Sequence, residues 1–213
     1  MRVIETNVYS FDELSEDSKQ KAIEKFRGSN YEYGNPWQNE IEDSFNKFAD
    51  IFGINWREID YQQPYRNEYT INLEDDIRFL SGLRLAKYIW NNYKHFLYKG
   101  KYYSVNSNKK LNHKRVKSEV LSNGVIHNAY YSAIQKDNSC VLTGVCYDDD
   151  ILQPIYDFLD KPKDIDFETL LNDCINSLCH SVSDEIDYQN TDEAITETIE
   201  ANQYEFTENG ELS

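Results

Sequence analysis

Glu193, Glu197 and Glu200 stand at i, i+4 and i+7, a spacing that lines three carboxylates along one face of a helix, while Ala194, Ile195, Thr198 and Ile199 form the inward stripe. At a rise of about 1.5 Å per residue these carboxylates fall roughly 6 Å apart. That is the order of the charge spacing along a nucleic-acid strand, about 3.4 Å of axial rise per phosphate. Such a row of anions could occupy a groove built for DNA or RNA. It could equally be a solvated face that keeps the protein soluble. Asp148, Asp149, Asp150, Asp184, Glu185 and Asp187 join it as candidate partner-binding acids, with Glu205, Glu208 and Glu211 beyond.

The opposite charge is gathered elsewhere. Residues 81–120 hold ten Lys/Arg against the single acid Glu119, whereas residues 147–213 hold nineteen Asp/Glu against Lys161 and Lys163, under a total of −16. Within the basic segment Lys99, Lys101, Lys109, Lys110, Lys114, Arg115 and Lys117 alternate with Tyr98, Tyr102 and Tyr103, the mixture of cations and stacking rings that a single-strand binder offers. The excess of acid over the whole chain repels nucleic acid at long range. Self-complementation, with this segment facing an acidic surface of the same or a neighbouring chain, is the competing reading and implies a homo-oligomer.

Other chemistry is weakly signalled. Cys140, Cys146, Cys174 and Cys179 with His180 could be drawn as a zinc site, but their spacing is not that of C-x₂-C knuckles. Cys174 falls on an inward stripe with Leu170, Leu171, Ile175 and Leu178, as a buried apolar thiol does. The Asp148–Asp150 run and Asp184-x-x-Asp187 lack the glycine-turned loop of an EF-hand, and an acidic run at a helix start is explained by the helix dipole. No G-x-S-x-G, H-E-x-x-H or phosphate-cradling glycine loop occurs. A non-enzymatic protein without metal or cofactor is the expectation.

These residues need elements to hold them. The pattern predicts helices over about 16–27, with Ser15 as N-cap and Gly28 as the stop, and from Asn35-Pro36 to 52, with an aromatic stripe of Trp37, Ile41, Phe45, Phe48 and Phe52. A hairpin is predicted over 54–61 and 67–73, then a helix over 75–97 that Gly82 weakens or kinks. Residues 102–105 read as a short strand, 108–122 as a basic helix, and 137–147 as a turn entering a buried strand. Three closing helices are predicted. They span 149–159, with Pro154 confined to the first turn; 167–180, capped by Asp166; and 192–202, capped by Thr191. With no repeat or linker, the expectation is a single α+β domain over 1–213, of about six helices on a small, mainly antiparallel sheet.

Seventeen Tyr, ten Phe and three Trp mark a folded chain rather than a disordered acidic one. No stretch approaches the roughly 18 apolar residues of a membrane span. The opening Met-Arg-Val-Ile-Glu-Thr has no apolar signal core, so a cytoplasmic location with reduced thiols is expected.

Two segments together resemble a known family. Tyr9-Ser-Phe-Asp-Glu-Leu-Ser15 with Lys19-Gln-Lys-Ala-Ile-Glu-Lys-Phe26, and in the closing half Cys140-Val-Leu-Thr-Gly144, Asp150-Ile-Leu-Gln-Pro-Ile-Tyr-Asp-Phe-Leu159 and Asp192-Glu-Ala-Ile through Gly210, resemble small phage and prophage proteins often labelled antitoxins of a toxin–antitoxin stability system. The middle departs from that pattern, with Asp60-Tyr-Gln-Gln-Pro-Tyr-Arg66 in place of a Gly/Ser-rich aromatic segment. The resemblance implies an accessory protein acting in a bacterial cytoplasm and carries over no functional residue. Its partner would be a host defence protein such as a CRISPR effector, inhibited by acidic occlusion of its nucleic-acid groove. A cognate toxin, and direct nucleic-acid binding through residues 98–117, are the alternatives.

Overall fold

The computed structural model describes residues 7–33, 37–99 and 138–213, with the backbone alone for 28–33 and 65. Among them stand seven α-helices and two small antiparallel sheets, an α+β fold as the mixed periodicities predict. The elements are β1 (Tyr9–Ser10), α1 (Glu16–Tyr33), α2 (Gln38–Phe52), β2 (Ile54–Glu58), β3 (Glu68–Ile71), α3 (Asp75–Arg78) and α4 (Gly82–Leu97), followed by α5 (Tyr147–Asp160), α6 (Phe167–Gln189), α7 (Asp192–Ala201) and β4 (Glu205–Phe206). β1 pairs antiparallel with β4, and β2 pairs with β3. The chain divides into two compact units, one of residues 1–43, 56–69 and 176–213, the other of 44–55 and 70–175.

In the first unit the pairing of Tyr9 with Phe206 and Ser10 with Glu205 ties the start of the described chain to its end. Phe11, Leu14, Ala22 and Ile23 share a core with Ile195, Ile199 and Phe206, against which Tyr9 and Phe26 pack. Phe206 meets the rings of Phe11 and Phe26 at 6.0 and 6.2 Å. Ser15 caps α1 as predicted, its hydroxyl accepting the Ser18 N–H at 3.3 Å. The Ser18 hydroxyl in turn donates to the Glu208 carbonyl at 2.8 Å. Gly210 closes this turn at φ +79°; a Cβ there would lie 2.3 Å from the Ser18 carbonyl oxygen, so only glycine fits.

In the second unit Phe45, Phe48 and Phe52 form a buried stripe, as their spacing predicts. Phe52 packs on Tyr93 at 4.8 Å and on Phe167 at 6.2 Å. Gly53, at φ +70°, ends α2 where the sequence places the stop. Leu85 and Ile89 of α4, Ile151, Leu152 and Ile155 of α5, and Leu170, Leu171 and Cys174 of α6 are buried apolar residues of this unit.

Several expectations need correction. α1 continues through Gly28 to Tyr33, because a glycine inside a helix costs only about 1 kcal/mol and need not end it. The single helix over 75–97 is two: Gly82 takes φ +54°, which no continuous helix admits, and α4 restarts there after Ser81. Residues 140–145 form a loop, not a strand, and α5 begins at Tyr147, two residues early, which leaves Pro154 inside the helix rather than in its first turn. α6 runs on to Gln189, with Val182 continuing its buried stripe. The predicted strand at 102–105 and helix at 108–122 lie outside the described residues, as does the Asn35-Pro36 start.

Candidate partner-binding surface

The last helix is fixed before any partner is considered. Thr191 accepts the Ala194 N–H at 3.3 Å, and Ala194, Ile195 and Ile199 are buried. Arg27 holds the entry to α7, its Nε donating to the Asn190 carbonyl at 2.9 Å while its guanidinium pairs with Asp192. Glu193, Glu197 and Glu200 are all exposed, as predicted. Thr198 is exposed too, contrary to its place in the predicted inward stripe; its hydroxyl turns back to the Ala194 carbonyl at 2.8 Å, so the methyl gains no core position.

Pairing separates these acids from their neighbours. Asp192 is matched by Arg27, and Glu211 by Lys25 at 2.8 Å, which holds the Glu211 carboxyl below its ordinary range. Among the described residues none of Glu193, Glu197 and Glu200 makes an ion pair within 4.0 Å. An open hollow is lined by Lys21, Glu24, Lys25, Asn209 and Glu211, and the Lys25–Glu211 ion pair forms part of its lining.

Asp184 and Asp187 are exposed on α6, whereas Glu185 is half-buried and accepts the Gln189 amide at 2.7 Å. The triple-Asp site requires the largest correction. Asp148 is 0% exposed and belongs to no surface. Its Oδ2 accepts the N–H groups of Leu142, Thr143 and Gly144 at 2.9, 2.7 and 2.9 Å. Its Oδ1 accepts the hydroxyls of Thr143 and Ser44 at 2.9 and 2.8 Å. Five donors and the positive end of α5 replace a counter-ion, so the carboxylate organises the 140–146 loop. Asp149 is half-buried and likewise turned inward, its Oδ1 accepting the Cys140 N–H at 2.8 Å; Asp150 is half-buried. Sequence reasoning missed this cage. Its one local trace is Thr143-Gly144 placed just ahead of Asp148, a loop whose amides require an acceptor.

The basic candidates divide at the edge of the described chain. Lys99 is exposed; Lys101, Lys109, Lys110, Lys114, Arg115 and Lys117 lie outside the described residues. Tyr98 does not offer a free stacking face, because its ring packs against Trp90 at 5.8 Å and Tyr156 at 5.5 Å.

Cys174 and Cys179 are buried, Cys140 is half-buried and Cys146 exposed, all as free thiols. Burial pushes the Cys174 thiol far above its ordinary value, as suits an apolar filler rather than a ligand. Among the described residues no three His, Cys, Asp or Glu side chains converge as a metal site would need, and no helix is long and apolar enough to cross a membrane. Comparison with protein-family models, with curated proteins and with solved structures finds no match to this chain.

Proposed function

We propose that this chain is a non-enzymatic, phage-type accessory protein that inhibits a host defence protein, such as a CRISPR effector, by laying the acidic face of α7 into a nucleic-acid-binding groove. The observation that supports this reading is that Glu193, Glu197 and Glu200 make no ion pair among the described residues and stand exposed on a helix that is capped, anchored and packed. Charges on a rigid support lose little freedom on binding, and like charges gathered on one helix face gain most when a cationic partner relieves their repulsion. With a formal charge of −16, association with a basic groove is steered, fast and salt-sensitive.

Charge reversal tests it. Glu193→Lys, Glu197→Lys and Glu200→Lys together leave the buried stripe untouched and should abolish inhibition of the partner. Full inhibition by the triple variant at moderate salt rejects the proposal.

The antitoxin reading has one observation in its favour, the exposure of Tyr188 and Tyr204, since aromatic rings anchor protein interfaces. Rescue of cells from the product of a neighbouring toxic open reading frame, lost in Tyr188→Ser/Tyr204→Ser and retained in the triple Glu variant, would decide for it.

A further inference from the structure

The two most exposed large apolar side chains among the described residues lie four positions apart in the sequence. Phe79 is 72% and Leu83 79% exposed, on either side of the break that Gly82 makes between α3 and α4. The corner beneath them is well held. Arg78 bonds Glu168 at 2.7 Å and the Ile71 carbonyl at 3.3 Å, the Ser81 hydroxyl bonds Asp164 at 2.7 Å, and Ser81 bridges to Asp166. Leu85, two residues beyond Leu83, is fully buried. The backbone that carries both residues is therefore held in place, and two large apolar groups exposed within five residues offer a surface that another molecule can cover. Arg84 and Lys87 are exposed beside it, and among the described residues neither makes an ion pair.

A complementary surface exists on the same chain. On α6, Tyr188 is 47% exposed, and Asp187 and Asp184 precede it by one and four residues, both exposed and both without an ion pair among the described residues. On α4, Arg84 and Lys87 follow Leu83 by one and four residues. Read in opposite directions, the two helices carry the same spacing: an apolar group, a charge one residue on and a second charge four residues on, with the signs inverted. Antiparallel alignment sets Leu83 at the height of Tyr188 and Lys87 opposite Asp184, since both helices rise by about 1.5 Å per residue, with Arg84 and Asp187 about 100° round each helix on the two flanks of the contact.

We infer that the Phe79–Lys87 corner docks antiparallel on the Asp184–Tyr188 stretch of a second copy of this chain. The contact joins two different faces, so copies associate head to tail. It leaves the α7 ladder out, and its test reads mass rather than inhibition, so it stands or falls separately from the proposed function. Net charges of like sign repel the copies at low salt. Screening at about 0.15 M ionic strength confines that repulsion to roughly 8 Å while adjacent opposite charges still attract. Association should therefore strengthen between low and physiological salt.

Sedimentation velocity on the full chain tests this, using the wild type, Phe79→Ser/Leu83→Ser, Asp184→Lys/Asp187→Lys, and a one-to-one mixture of the two variants. All the altered side chains are exposed, so thermal melts should match the wild type. The wild type should associate reversibly with concentration, each variant alone at least tenfold more weakly, and the mixture should regain association limited to a pair, because one intact face of each kind remains. A wild type that stays monomeric at all concentrations overturns the inference. So does an acidic-face variant that still self-associates, which would mean that the corner packs on itself, or a mixture that remains monomeric. Wild-type binding to phosphatidylserine vesicles that is lost in Phe79→Ser/Leu83→Ser would assign the corner to a lipid surface and equally overturn it.

Discussion

Ser44 and Asp148 are both fully buried and share a 2.8 Å hydrogen bond across 104 positions of sequence. The Ser44 hydroxyl, also 3.1 Å from that of Thr143, joins three backbone N–H groups in satisfying a carboxylate with no cationic partner among the described residues. Asp148→Ala strands those donors and should cost about 3–5 kcal/mol. Asp148→Asn, which keeps the volume but loses acceptor capacity, should cost about 2–3 kcal/mol, and Ser44→Ala about 1 kcal/mol. Urea unfolding gives all three, and a near-neutral Asp148→Ala would show that the cage contributes nothing to stability.

Gly210 presses on the α1 backbone beside Ser18, so Gly210→Ala meets both a left-handed φ and a clash with a carbonyl oxygen. A loss of about 2 kcal/mol or more is expected, larger than the loss of about 1 kcal/mol for removing the α7 cap by Thr191→Ala. Thermal melts of the two variants should keep that order.

Alkaline pH should destabilise the fold. Desolvation pushes the Cys174 thiol above its ordinary value of 9.0, and desolvation first, then the neighbouring Tyr88, pushes Tyr93 above 10.0. Tyr61 rises for the same first reason, aided by the Glu42 carboxylate. Above about pH 9 the unfolded chain has released protons that the folded chain retains, so this contribution is present below that pH and lost as pH rises. Urea midpoints should be flat from about pH 7 to 8.5 and fall beyond about pH 9.

Thiol accessibility gives a further check. Exposed Cys146 should react with a disulfide reagent first, and Cys174 and Cys179 only at the rate of unfolding. Cys174→Ala removes a sulfur atom from a packed core and should cost about 1–2 kcal/mol.

Much of α7 was legible in the sequence. Thr191, Ala194, Ile195 and Ile199 state a cap and an inward face locally, and the outward place of Glu193, Glu197 and Glu200 follows from helical geometry. The aromatic stripe of α2 was legible for the same reason. Asp148 was not, because its donors come from an irregular loop and from position 44, and no periodicity encodes either. A run of three carboxylates reads as surface; only the tertiary arrangement turns the first of them inward. Gly82 was visible as a weak point, but whether a glycine bends a helix or ends it is set by the packing of Leu85 and the bonds of Ser81. Val182 carries the α6 stripe past His180, where polar neighbours mask it.

The acidic face of α7 is the centre of the functional account, and one paired capture tests it directly. Wild-type protein and the Glu193→Lys/Glu197→Lys/Glu200→Lys variant are immobilised side by side, exposed to bacterial lysate and eluted with a salt gradient. The account predicts a nucleic-acid-binding protein retained by the wild type, released as salt rises from about 0.15 M, and missing from the variant; added wild-type protein should then block that captured protein's binding to nucleic acid. The same proteins retained on both columns, with nucleic-acid binding unaffected, would contradict it.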